Sequence, residues 1–203
     1  MACVHAFQNS QQQNIKIEEE RFNEPLRPQI HFSTERYWSN DPNGPFLDAH
    51  SIWHLYYQYA ANTLTPNDWP EWAHATSKDL YSWTNHGTTI PADRSIPLGS
   101  PWTGSVVIDS ENTSGFFPLG QKDGVVAMFT QTTLAEEAQA LAWSRNGGYD
   151  FTFFWGNPVL SRKQHGFRDP YAIPEDRDLS LRIRCLGDGK STSIGVPGAV
   201  ASL

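Results

Sequence analysis

From residue 27 to residue 173 the chain is written in short runs of β-forming residues cut by Gly, Pro, Asn and Asp, and no long amphipathic helix interrupts them. That punctuation belongs to an all-β protein. The runs predict strands over 51–59, 71–77, 104–109, 125–132, 138–144, 151–155 and 166–173, and only 134–139 invites a helical reading. Asn43-Gly44, Asn85-His86-Gly87 and Asn146-Gly147-Gly148 tolerate positive φ and predict tight hairpin turns. Antiparallel strands at this spacing fit a sandwich, a barrel or a propeller, and spacing by itself does not choose.

Composition narrows the function classes. A formal net charge of −7, with the basic residues scattered, argues against nucleic acid as a partner. A neutral small molecule fits better, and 8 Trp, 7 Tyr and 11 Phe provide flat faces suited to sugar rings as well as to ordinary core. Cys3 and Cys185 give neither a disulfide framework nor metal-ligand spacing. His31, His74 and His165 form no close ligand set, so no metal is expected, and no phosphate loop or serine elbow points to a cofactor. The longest apolar run, 124–129, is far too short for a membrane span. Residues 1–28 hold no apolar run of signal-peptide length, so the chain as written is expected to be cytoplasmic, with the Asn112-Thr113-Ser114 sequon unused.

Three regions follow. Residues 1–27, with Gln11-Gln12-Gln13 and Glu18-Glu19-Glu20, read as a polar arm; 28–173 read as the folded domain; 174–203 are Gly- and Ser-rich without aromatics and are expected to be a disordered tail.

Two acidic strings carry the chemistry: Trp38-Ser39-Asn40-Asp41-Pro42-Asn43-Gly44 and Phe167-Arg168-Asp169-Pro170. In each, a proline fixes its own φ and restricts the aspartate before it, which suggests a carboxylate held by a stiff turn. Arg27-Pro28-Gln29-Ile30-His31-Phe32 precedes the first string and His54-Leu55-Tyr56-Tyr57-Gln58-Tyr59 follows it, while Gly147-Gly148-Tyr149 and Asn157-Pro158-Val159-Leu160 precede the second. In this order the strings resemble the first two acidic signatures of glycoside hydrolase family 32, the invertases, inulinases and levanases that cleave β-fructofuranosides.

The resemblance implies a five-bladed β-propeller. At ~40–50 residues per blade, 28–173 has room for about three. It implies Asp41 as the nucleophile that forms a covalent fructosyl-enzyme, and Asp169 as the carboxylate that grips fructose hydroxyls and stabilises the transition state, oriented by Arg168. It implies sugar contacts from Trp38, Ser39, Asn40, Gln58, Trp72, Trp102 and Thr103, with sucrose or a fructo-oligosaccharide as substrate. Ala73 stands where the family has glycine, and Thr103 where it has serine. The family's third signature, a glutamate beside Cys-Pro that serves as acid/base, does not occur in the 203 residues. The chain is therefore expected to be an inactive N-terminal part, with unpaired strand edges favouring self-association. Two other readings remain open: an inverting arabinanase or xylosidase type of propeller glycosidase, and a non-catalytic fructoside-binding or decoy protein.

Overall fold

A computed structural model describes residues 25–28, 30–66, 69–95 and 99–171. Among them there is no helix, and the strands form two antiparallel sheets. The first runs β1 (Trp38–Leu47), β2 (Trp53–Ala60), β3 (Glu71–Ser77), β4 (Thr84–Ile90), each paired with its neighbour in sequence. The second runs β5 (Ser100–Ile108), β6 (Val125–Thr132), β7 (Glu137–Ser144), β8 (Thr152–Phe153), with β9 (Leu160–Ser161) also on β7. Two such meanders with their connections fill the span that had room for about three. The arm below residue 25 and the tail from residue 172 lie outside the described residues, as do 172–173 of the last expected strand.

Several turn expectations are corrected. Asn40 to Gly44 is the body of strand β1, in which register shifts between Asn40 and Pro42 and between Asn43 and Phe46 absorb the proline and the glycine. Asn85-His86-Gly87 likewise lies inside β4, opposite a register shift between His74 and Ala75. Both strings look like turns because Asn, Pro and Gly serve bulges as readily as hairpins. Segment 134–139 is not helical: Thr133 Oγ1 accepts the N–H groups of Ala135 (3.2 Å) and Glu136 (3.1 Å), and β7 starts at once from Glu137 paired with Thr132. Cross-strand pairing outweighs the weak local preference there. Described residues 166–171 form no strand.

All of β6 and nearly all of β7 are buried, because this sheet is covered on both faces. One face (Val125, Ala127, Phe129, Ala140, Ala142) packs on Tyr56, Trp72 and Ile90 of the first sheet. The other (Val126, Met128, Leu141) lies under Phe116, Phe117, Phe154 and Phe167. The sheets come closest where β1 crosses β5. A Cβ on Gly44, whose φ is +45°, would stand 2.2 Å from the Val106 backbone nitrogen, and one on Gly104 would stand 2.0 Å from the Met128 carbonyl oxygen. Only glycine fits either place. Gly44→Ala is accordingly expected to cost about 2 kcal/mol or more in a denaturant titration; an unchanged midpoint would show that the sheets are not locked there.

Toward the end of β1 remote from Asp41, three histidines stack. Phe46 lies on His54 (centroids 4.5 Å, 9° between planes), His54 on His74 (5.0 Å, 17°) and His74 near His86 (4.9 Å, 32°). His54 Nδ1 and His74 Nε2 are 3.0 Å apart, and Thr76 Oγ1 is 2.7 Å from His86 Nε2. Tyr149, from the second sheet's β7–β8 connection, meets all three rings edge-on. Its loop is fixed by Tyr56 Oη donating to Gly148 O (2.8 Å) and Thr89 Oγ1 donating to Tyr149 O (2.6 Å). Burial, then the charges of His54 and His86, push His74 down to about 2; burial also lowers His54, against Asp48, and His86. The fold thus keeps these rings neutral, while an unfolded chain takes up protons below pH ~6.5. Their stabilisation is complete above that pH and is lost as pH falls toward the folded values. Between pH 6 and 5, His74 is expected to remove about 1.4 kcal/mol of unfolding free energy per pH unit. Urea titrations of the chain and of His74→Phe test this: the substitution should flatten the slope, and equal slopes would refute it.

Candidate active site

The end of the molecule opposite the histidine stack collects the start of β1, the end of β2, the starts of β3 and β5, the end of β6, the start of β7 and the segment 164–169. Asp41 is exposed on β1, and Thr103 Oγ1 of β5 donates to its Oδ2 at 2.8 Å. Its Oδ1 has no donor among the described residues. Two residues on, fully buried Asn43 accepts the Gly104 N–H at Oδ1 (3.1 Å), so the same pair of bulged strands is tied again beneath Asp41. The bulge around Pro42 is what keeps Asp41 outward while Asn43 points in.

Asp169 reaches the same region from a distant part of the sequence. Its backbone lies at φ +61°, a conformation Asp tolerates better than most residues, and its N–H donates to Thr130 Oγ1 at 2.9 Å. Burial raises its carboxyl above the usual range; Arg168 opposes that, and Asp41 and Glu137 add to it. Two sequence-predicted carboxylates, one on strand β1 and one 128 residues later, are therefore close enough to repel one another.

The other expected residues divide. Asn40 and Ser39 are exposed and pair with Gln58 and Tyr59, and Trp38 is half-buried at the strand's start, so the open side of the site is lined by β1. Trp102 is half-buried beside Thr103, with Arg168 Cζ 5.9 Å from its ring centre. Gln58 and Trp72 do not reach the surface. Gln58 is 5% exposed and gives its Nε2–H to Pro101 O (3.1 Å); Trp72 is fully buried and gives its Nε1–H to Trp102 O (3.1 Å). Both sit under the site, where they hold the β5 backbone that presents Trp102 and Thr103.

Arg168 differs from expectation too. Its Nη1 lies 3.8 Å from Glu137 Oε1, and its ion-pair partner is that buried glutamate. Sequence reading had no place for Glu137, because it lies in a segment that reads as a helix and in no recognisable string. Thr130 and Asn43 were missed as site supports as well; Asn43 was visible only as a turn former. Among the described residues no group of three or more His, Cys, Asp or Glu side chains could hold a metal ion.

Comparison with known proteins bears on the family and the fold. Residues 31–191 match the glycosyl hydrolases family 32 N-terminal domain. The chain is 42% identical over 150 residues to an extracellular exo-inulinase of Meyerozyma guilliermondii, covering 72% of this chain and 29% of that protein. It is 36% identical over 175 residues to an invertase of Schwanniomyces occidentalis, covering 85% and 32%. A solved fructofuranosidase from Schwanniomyces occidentalis, complexed with fructose, superposes with a TM-score of 0.70 at 38% identity over 77% of this chain and 30% of that one. The chain belongs to glycoside hydrolase family 32, and its sheets are blades of that family's β-propeller. It spans about a third or less of the length of these relatives.

The crowding of acids at this end has a measurable consequence. A carboxyl whose folded pKa is raised stabilises most when protonated, so Asp169 weighs against the fold above pH ~4. Asn tolerates the same positive φ, which makes Asp169→Asn a test of charge alone. We expect it to raise the melting temperature at pH 7, with the gain vanishing as pH falls below ~4; a lowered melting temperature at pH 7 would contradict the repulsion.

Proposed function

We propose that the chain supplies the nucleophile and the hydroxyl-gripping carboxylate of a β-fructofuranosidase, which hydrolyses O-glycosyl bonds of sucrose or fructans by a retaining double displacement. The observation that carries this is the pair Asp41 and Asp169, brought from opposite ends of the domain to one exposed site within a family 32 chain. Similarity to proteins named as exo-inulinase, invertase and fructofuranosidase supports the substrate class.

Thr103 holds Asp41 Oδ2 and leaves Oδ1 to attack the anomeric carbon. Attack forms an ester to the sugar as the bond to the leaving oxygen breaks; water then opens the ester and returns Asp41. Asp169, negative beside the developing positive charge of the ring, stabilises the oxocarbenium-like state. Protonation of the leaving oxygen needs a second carboxyl ~5–5.5 Å from the nucleophile. No Glu-Cys-Pro string lies in the 203 residues, so the chain alone is expected to turn over no sucrose.

The test is to join this chain in frame to the remaining C-terminal part of the Meyerozyma guilliermondii exo-inulinase. Sucrose hydrolysis should appear, and Asp41→Asn should lower it by about 10⁴-fold with the fold retained. Fructose binding by calorimetry without hydrolysis would favour the non-catalytic reading. Activity that survives Asp41→Asn would sink the assignment.

A further inference from the structure

Glu137 opens β7 with a side chain only 7% exposed. A buried carboxylate is costly unless hydrogen-bonded and paired, and Glu137 meets both needs from one short segment. Its backbone N–H donates to Gln164 O at 3.1 Å. Its Oε2 accepts the Gly166 N–H at 2.8 Å, while Oε1 lies 3.9 Å from His165 Nδ1 and 3.8 Å from Arg168 Nη1. The segment it grips takes positive φ at Lys163, Gly166 and Asp169, a path with no repeating structure of its own to hold it.

The grip decides where one guanidinium goes. Arg168 has two rival carboxylates, that of Glu137 and that of its neighbour Asp169. The structure sets it against the first and over the Trp102 ring, 5.9 Å from the centroid. Asp169 is left with its backbone N–H bonded to Thr130 and with no hydrogen bond to its carboxylate oxygens among the described residues. A carboxylate already forked by an arginine must surrender strong charge-assisted bonds before it can accept sugar hydroxyls. An unpaired one need not.

We propose that Glu137 is a positioning residue: it fixes the 164–168 segment and holds Arg168 over Trp102 and off Asp169, leaving both Asp169 oxygens open to adjacent hydroxyls of a sugar ring. The inference rests on the reading of Asp169 as the sugar-gripping carboxylate, and deepens it. The charged groups facing Asp169 are Arg168, Asp41 and Glu137; those facing Glu137 are His165 and Arg168.

Glu137→Gln keeps an oxygen for the Gly166 N–H and removes the charge that holds Arg168. The experiment is a ¹³C-aspartate NMR titration of the 203-residue chain, with the Asp169 signal assigned through Asp169→Asn. In Glu137→Gln, Arg168 should collapse onto Asp169, and the Asp169 midpoint should move down further than the same substitution moves it in an Arg168→Met background, where only the Glu137 charge is lost; equal drops in the two backgrounds would overturn the proposal. Glu137→Asp, which keeps the charge, should restore most of the midpoint. An Asp169 midpoint that stays or rises in a folded Glu137→Gln chain would overturn the proposal. If Glu137→Gln does not fold, the unsubstituted chain answers instead: Arg168 side-chain protons should carry the ring-current shift of Trp102, and resonances at solvent-exposed positions would overturn the proposal. No sugar enters these readouts. A moved midpoint with no fructose bound by the joined protein leaves the clamp standing and removes the sugar reading; bound fructose with an unmoved midpoint does the reverse.

Discussion

The approach of β1 to β5 is the constraint on which the site depends. Gly44 lets the β1 backbone meet β5 at Val106 where any Cβ would collide, Gly104 lets β5 lie equally close to Met128 of β6, and the Gly104 N–H finds Asn43 of β1. That contact sets Thr103 within hydrogen-bonding distance of Asp41 although the two lie 62 residues apart in sequence. Trp72 and Gln58 reinforce it from the first sheet, since each spends its N–H on a β5 carbonyl next to the contact. Buried hydrogen bonds of this kind contribute about 1 kcal/mol each, but leaving such a donor unpaired costs more, so they fix geometry more than they add stability.

On this frame the molecule assembles a local concentration of negative charge. Asp41 and Glu137 both act on Asp169, and Arg168, paired with Glu137, is the cation among them. Such an arrangement works against folding and suits chemistry that passes through a cationic sugar, where every uncompensated carboxylate becomes useful in the transition state. The hydrophobic seam between the sheets, built from Tyr56, Trp72, Ile90 and Phe129 against small residues of β6 and β7, offsets that cost.

Much of the architecture was legible in the sequence. Strands over 71–77 and 125–132 were expected at their observed bounds, because alternation and β-branched or aromatic residues mark them without help from the rest of the chain. What escaped was decided by pairing partners. The Asn40 to Gly44 string reads as a turn and is a strand, since its bulges are defined only opposite β2. Segment 134–139 reads as a helix and splits into a turn and a strand start, since Thr132 and the 164–168 segment capture Glu137. Of the site, the aspartates were legible because proline-bound acids in a known order carry a family's mark. Glu137 was not, because its role exists only once a segment nearly thirty residues later folds back against it.

The two ends of the sheets respond to acid in opposite senses. The histidine stack lets Tyr149 of the second sheet rest on neutral rings of the first, so it weakens once protons are available below pH ~6.5. Asp169, raised by burial and by its acidic neighbours, instead relieves strain as it is protonated. In the proposed reaction both aspartates are ionised, one to attack and one to face the cation. That same ionisation keeps the carboxylate repulsion in place. The stacked histidines reach full strength only toward neutral pH, the range in which an ionised Asp169 weighs against the fold.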